Sequence, residues 1–185
     1  MTLLILGLLL WTAAHYFKRL FPDQRAALGN PGKGMVALAI FVGVLLMVLG
    51  YRSADFIAVW TPPAFMVHLN NLLMLGAVWM FATSQSPGAK LWPATRIRHP
   101  MLISAKIWAV AHLLVNGDLA AILLFGGLLA WAVGEVILIN RAEPDWTPPP
   151  VAEPARAIRV LIISAVIFAV VVAVHIWLGH WPFPA

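Results

Sequence analysis

The sequence predicts an all-α fold: a polytopic membrane helix bundle of six transmembrane helices, built as a single domain over residues 1–185. Three observations carry that expectation. The composition is 62% hydrophobic and 10% charged with a mean hydropathy of +0.91, whereas soluble domains run to roughly half apolar and a quarter charged. Six apolar runs approach the ~20 residues that a hydrocarbon core of ~30 Å demands. The basic residues gather in alternate loops, as the positive-inside rule requires of a multi-span chain.

The first run, Thr2–Phe17, has its cations after it rather than before it and shows no small-residue cleavage site, so it reads as a retained span. The second, Met35–Gly50, and the fourth, Pro100–Val115, are short; they are expected to begin earlier, tilt little or be partly covered by neighbours. The third is Ala64–Thr83. The fifth, Leu119–Ile139, carries Gly126, Ala130 and Gly134 at every fourth position, a small-residue stripe that invites a close neighbour, and Ala105 and Ala109 offer a matching stripe on the fourth. The sixth, Val160–Leu178, follows "PDWTPPPVAEP", whose prolines favour polyproline II and predict a stiff cytoplasmic connector.

A net charge of +5 and a pI near 10.3 suggest nucleic acid in a soluble protein, but here the cations follow topology. Lys18, Arg19, Arg25, Lys33, Lys90, Arg96, Arg98, Arg141, Arg156 and Arg159 fall on one side of the spans, and Arg52 on the other. The expectation is a lipid-embedded protein with both termini outside the cytoplasm and no nucleic-acid partner. The absence of cysteine excludes disulfides, iron–sulfur ligation and a thioether-linked haem.

Ionisable groups inside spans cost a few kcal/mol each on insertion scales, about 2.5–3.5 for a central lysine, and so mark function or pairing. Five stand out: His15, His68, Lys106, His112 and Glu135. Lys106 and Glu135 reach one depth, which reads equally as a buried ion pair or a ligand role. Ser104, Trp108 and His112 rise along one helix face, which suits either helix packing or a stacked aromatic ligand. Pro100 is suited to a helix's first turn, and Arg98 beside the free amides there makes a candidate anion site.

These residues carry a resemblance. "RIRHPMLISAKIWAVAHLLVNGD", with "AAHYFKR" on the first span, "LLFGGLLAWAVGE" on the fifth and the six-span layout, resembles the NnrU family over nearly the whole chain. The resemblance implies an integral protein of the bacterial inner membrane linked to denitrification. The architecture is also similar to zeta-carotene isomerase, a haem-b membrane enzyme that turns a cis double bond of a polyene to trans. In that enzyme an Arg-His-Pro motif precedes a tryptophan and an alanine-histidine pair, matched here by Trp108, Ala111 and His112, and its other functional histidine is matched by His15. This second resemblance implies a non-covalent haem b with His15 and His112 as iron ligands, Trp108 as an aromatic wall, and Arg98, Lys106 and Arg19 facing the propionates. The implied function is haem-dependent isomerisation of a carotenoid-like polyene, or a non-catalytic haem-binding or assembly role beside nitrite and nitric oxide reductases. Ala109 stands where the isomerase has a cysteine, so a thiolate switch is lacking.

Depth leaves the second ligand open. With about 1.5 Å of rise per residue, His15 and His112 differ by roughly 9 Å in depth, which adjacent tilted helices can bridge. His68 lies nearer His112 in depth, and His175 is a further candidate. Ligation by two histidines closes both axial positions and favours electron transfer, sensing or ligand exchange.

The topology is testable with reporter fusions at the carboxyl terminus. A periplasm-active reporter is expected to function at Ala185; activity of a cytoplasm-only reporter there overturns the span count or the orientation.

Overall fold

The computed structural model describes residues 1–85 and 88–183, and its regular elements are helices: α1 (Thr2–Leu20), α2 (Pro22–Ala27), α3 (Gly29–Arg52), α4 (Met66–Ser84), α5 (Pro100–Leu113), α6 (Leu119–Ala142) and α7 (Pro154–Trp177). Among the described residues no strand forms, and extended backbone pairs at isolated bridges between Ala58 and Asp118 and between Lys90 and Val151. Aliphatic and aromatic side chains point outward along the helices, with Leu9 62%, Phe41 65%, Leu72 66% and Ile158 66% exposed, a surface suited to lipid.

Five helices, α1, α3, α4, α6 and α7, are long and apolar enough to cross a membrane. The second run indeed begins earlier than its hydropathy suggests, and α3 reaches 24 residues. The fourth does not lengthen. α5 has 14 residues, about 21 Å of helix against a core of ~30 Å. Pro100 starts it, because proline has no N–H to give and its fixed φ suits the first turn. Beyond Leu113 the chain turns, and Gly117 and Leu119 are tied to the segment after α3: Val59 N and Trp60 N donate to Gly117 O, and Leu119 N to Ile57 O. The structure thus shows five helices long and apolar enough to span and a sixth apolar helix, α5, that is shorter.

The chain divides into two compact units, each assembled from two separate segments: Met1–Thr61 with Asn116–Pro144, and Pro62–Val115 with Asp145–Ala185. In the first unit α1 lies against α3 and α6. The approach to α3 depends on glycines. A Cβ on Gly7 would stand 2.6 Å from Met47 N and 2.7 Å from Gly43 O, and one on Gly50 would collide with the backbone of Leu4. Leu4, Met47 and Ala120 are buried around that contact. On α6 the residues facing α1 are Gly127, against Leu8, and Gly134, against the Tyr16 hydroxyl. The expected stripe through Gly126, Ala130 and Gly134 is thus corrected: Gly126 faces open space and Ala130 is exposed. Seven residues of helix return nearly to the same side, so Gly127 and Gly134 share the face that meets α1. Asp118 caps α6 through Oδ1, which accepts from Ala121 N at 2.9 Å.

In the second unit α4 packs against α5 and α7. The Ser104 hydroxyl donates to Ala77 O across the α4–α5 contact at 2.7 Å. Ala82 near the end of α4 meets Val160 near the start of α7, with Leu91 and Ala152 completing a buried cluster. Near the start of α4, Asn71 Nδ2 donates to Pro182 O just beyond α7, so α4 and α7 run antiparallel. The proline-rich connector is held on one side: Lys90 N donates to Pro150 O and Ala152 N to Lys90 O, both at 2.8 Å. Pro154 then opens α7 in the first-turn position.

The glycine contact predicts an asymmetry between two similar substitutions. Gly50→Ala is expected to cost about 1–3 kcal/mol through overpacking against fixed backbone. Gly126→Ala, with open space around it, is expected to be neutral or to gain up to about 1 kcal/mol of helix propensity. Thermal unfolding in detergent, followed by circular dichroism, checks this, and equal melting temperatures for the two variants would mean that α1 and α3 do not approach so closely.

Candidate functional site

Three intramembrane histidines share one local geometry. Nδ1 of His15 bonds Trp11 O at 2.8 Å, Nδ1 of His112 bonds Trp108 O at 2.9 Å, and Nδ1 of His175 bonds Val171 O at 2.8 Å. A carbonyl oxygen only accepts, so in each case Nδ1 carries the hydrogen and donates it. Nε2 then holds the ring's lone pair, the state in which imidazole ligates metals while its other nitrogen is anchored to a carbonyl or carboxylate. His68 differs: it is exposed on α4.

In the first unit, His15 packs between two indoles. Ring centres lie 4.2 Å from Trp11 and 4.8 Å from Trp131, and the two tryptophans meet edge to face at 5.1 Å. The Tyr16 hydroxyl donates to Trp131 O at 2.9 Å, fastening α1 to α6. One turn further, Arg19 Nε stands 3.6 Å from Glu135 Oε1, and its Nη1 donates to Glu143 Oε1 at 2.9 Å. The indole nitrogens of Trp11 and Trp131 and Glu135 Oε2 are buried without hydrogen-bond partners.

In the second unit, the rings of Trp108 and His112 meet at a tilt of 52°, with centres 5.2 Å apart. His175, near the end of α7, brings its ring to 6.4 Å from that of His112 at an interplanar angle of 41°. Counting from the Ser104–Ala77 contact, His112 lies about 12 Å along α5 and Asn70 about 10 Å back along α4, so they share a level. There Asn70 Nδ2 donates to Asn71 Oδ1, while Asn70 Oδ1 is buried without a partner. This end of the unit therefore collects two imidazoles, an indole and two amides. Two apolar clefts lie elsewhere: one of about 310 Å³ between α1 and α3, and one of about 250 Å³ lined by Leu75, Val78, Trp79, Leu161, Ser164 and Ala165.

The sequence-derived residues are thus distributed between the units: His15 and Arg19 in the first, Arg98, Lys106, Trp108 and His112 in the second. The expected Lys106–Glu135 pair is replaced. Glu135 takes Arg19 as its ion-pair partner, because Arg19 is one α1 turn past His15 on the side that meets α6. With two carboxylates on its guanidinium, Arg19 has its charge balanced locally rather than held in reserve for an anionic ligand. Arg98 precedes α5 and lies fourteen residues from His112, about 21 Å along a helical rise, whereas Lys106 lies about 9 Å from it. The sequence did hold an overlooked signal: "WTAAH" ends on His15 and "WAVAH" on His112, a repeated Trp-x-x-Ala-His that builds the same side-chain-to-carbonyl bond in each unit.

The Arg19–Glu135 pair predicts non-additivity. Arg19→Met leaves the buried Glu135 carboxylate without its cation and is expected to cost about 3–5 kcal/mol, Glu135→Leu costs less because Arg19 keeps Glu143, and the double variant costs less than the sum of the two. Melting of the four proteins in one detergent measures it; strict additivity overturns the coupling.

The sequence profile described as NnrU protein matches residues 3–182, spanning both units. No curated protein and no solved structure matches the chain. With its profile matched over nearly the entire length, and with apolar helices fit for a bilayer, this chain belongs to the NnrU family.

Proposed function

We propose that this protein binds haem b in the bacterial cytoplasmic membrane and carries the iron on His112, in a redox or haem-supplying role beside the denitrification enzymes. The observation that carries the reading is the state of His112: partly buried in an apolar helix, with its Nδ1–H anchored on Trp108 O so that the ring's lone pair sits on Nε2, and with the Trp108 indole tilted against it at 5.2 Å. Among the described residues no group of three or more His, Cys, Asp or Glu side chains converges. A metal on His112 must therefore bring most of its own donors, and a haem brings four pyrrole nitrogens. The residues fit the group. Bound haem supplies one-electron iron chemistry, tuned by its axial nitrogens and by the polarity around them.

The chain's own contribution is positional. Trp108 offers a flat apolar wall, Lys106 the nearer cation for a propionate, and the lipid-facing aliphatic surface keeps water from the iron. Both termini lie on the periplasmic side, as the loop cations argue. A second reading, isomerisation of a polyene, is favoured by the 250 Å³ apolar cleft between α4 and α7, which suits a hydrocarbon chain.

The test is spectroscopic. The purified chain, or the chain titrated with haemin in detergent, is expected to show a Soret band and sharpened visible bands on reduction, and to release its haem to acidic organic solvent. His112→Ala is expected to reduce bound haem at least tenfold, a loss of about 1.4 kcal/mol or more in binding. A wild-type chain that neither carries nor takes up haem overturns the proposal.

A further inference from the structure

The helix α7 supplies a histidine to the same end of the second unit, and its placement is specific. Two imidazoles on opposite sides of one iron, each with a metal–nitrogen bond of about 2 Å and a ring centre about 1 Å beyond it, have their centres about 6 Å apart. The rings of His112 and His175 stand 6.4 Å apart. Two imidazoles in tetrahedral positions on one ion come closer, at about 5 Å by the same bond lengths. Each ring is anchored through Nδ1–H to the carbonyl four residues earlier on its own helix, so in each the lone pair sits on Nε2. The interplanar angle of 41° is compatible with two axial imidazoles, whose planes need not be parallel.

We propose that His175 is the second axial ligand, so that the haem site is built from α5 and α7 within one compact unit. This rests on the haem-binding function proposed for His112. It departs from the pairing that the isomerase resemblance implies, because His15 belongs to the other unit, where two indoles pack against its ring. It also gives the last helix a role that its sequence, apolar and without Arg or Lys after Arg159, does not announce. The site lies at the non-cytoplasmic end of the unit by the loop cations, close to the surface from which a periplasmic electron donor or acceptor approaches.

The experiment uses the full chain in detergent with haemin as the probe, read by absorption and electron paramagnetic resonance. The wild type is expected to be low-spin and, when reduced, to resist carbon monoxide. His175→Ala is expected to retain haem on His112 while losing the low-spin signal, to bind carbon monoxide, and to regain the low-spin form with added imidazole. His175→Met covers the case in which the alanine variant fails to fold: a thioether ligand is expected to keep the iron low-spin with a raised reduction potential. His15→Ala and His68→Ala are expected to leave the low-spin spectrum unchanged. A low-spin, carbon-monoxide-resistant His175→Ala overturns the assignment while leaving haem binding on His112 intact, and simultaneous loss in His15→Ala moves the ligand to α1. Absence of haem uptake by the wild type overturns both.

Discussion

Inside a bilayer no water is present to complete a hydrogen bond, so every polar group in a span must find its partner within the protein. Much of this structure follows from that constraint. His15, His112 and His175 each donate to a carbonyl one turn earlier, and Ser164 does the same toward Val160. Ser104 reaches across to α4, Tyr16 to α6, and Arg19 takes the buried carboxylate of Glu135. Where a partner is another helix, the bond fixes which faces meet. Where it is the residue's own helix, it fixes a tautomer, and with it the nitrogen left for chemistry. Among the described residues, the indole nitrogens of Trp11 and Trp131 and one oxygen each of Asn70 and Glu135 are buried side-chain groups for which this rule is unmet.

Helix spacing follows from a second, steric limit. Lipid tails are as apolar as leucine, so helices gain little from hiding aliphatic side chains from lipid; close backbone approach and interhelical hydrogen bonds decide the pairing. In the first unit the glycines at 7, 43 and 50 let the backbones of α1 and α3 approach closely. In the second the small buried residues Ala77 and Ser104 meet at the α4–α5 contact. The larger aliphatic side chains are left pointing outward, which is why the hydrophobic residues of this chain are mostly not its core.

The shortness of α5 has a consequence for the site. Pro100 sets its start and the turn after Leu113 sets its end, so His112 lies in the last turn of a 14-residue helix rather than in the middle of a long one. That places it level with the end of α7, where His175 lies, and with the paired amides of Asn70 and Asn71 on α4. A longer fourth helix would carry the Arg-His-Pro start and the Ala-His pair apart from their present neighbours.

The sequence by itself determined the membrane class and the apolar helices, four of them to within three residues at each end and α3 and α7 with starts placed six residues late. Pro100 was read from the sequence as a first-turn residue; Pro154 as a helix start, Asp118 as a cap and the Trp-x-x-Ala-His side-chain-to-carbonyl bonds also need only chain neighbours, but went unread. Partnerships between helices were beyond it. Depth along each span showed that Glu135 needed a cation, but not that Arg19 rather than Lys106 supplies it; small residues recurring on α6 suggested a contact face, but the one in use runs through Gly127 and Gly134. The sequence named His112 and His175 as candidates, but not that their rings come within 6.4 Å of each other. Depth is a one-dimensional coordinate read from hydropathy, whereas the rotation of a helix about its axis is set by glycine contacts and buried hydrogen bonds to other helices, and only the tertiary structure holds those.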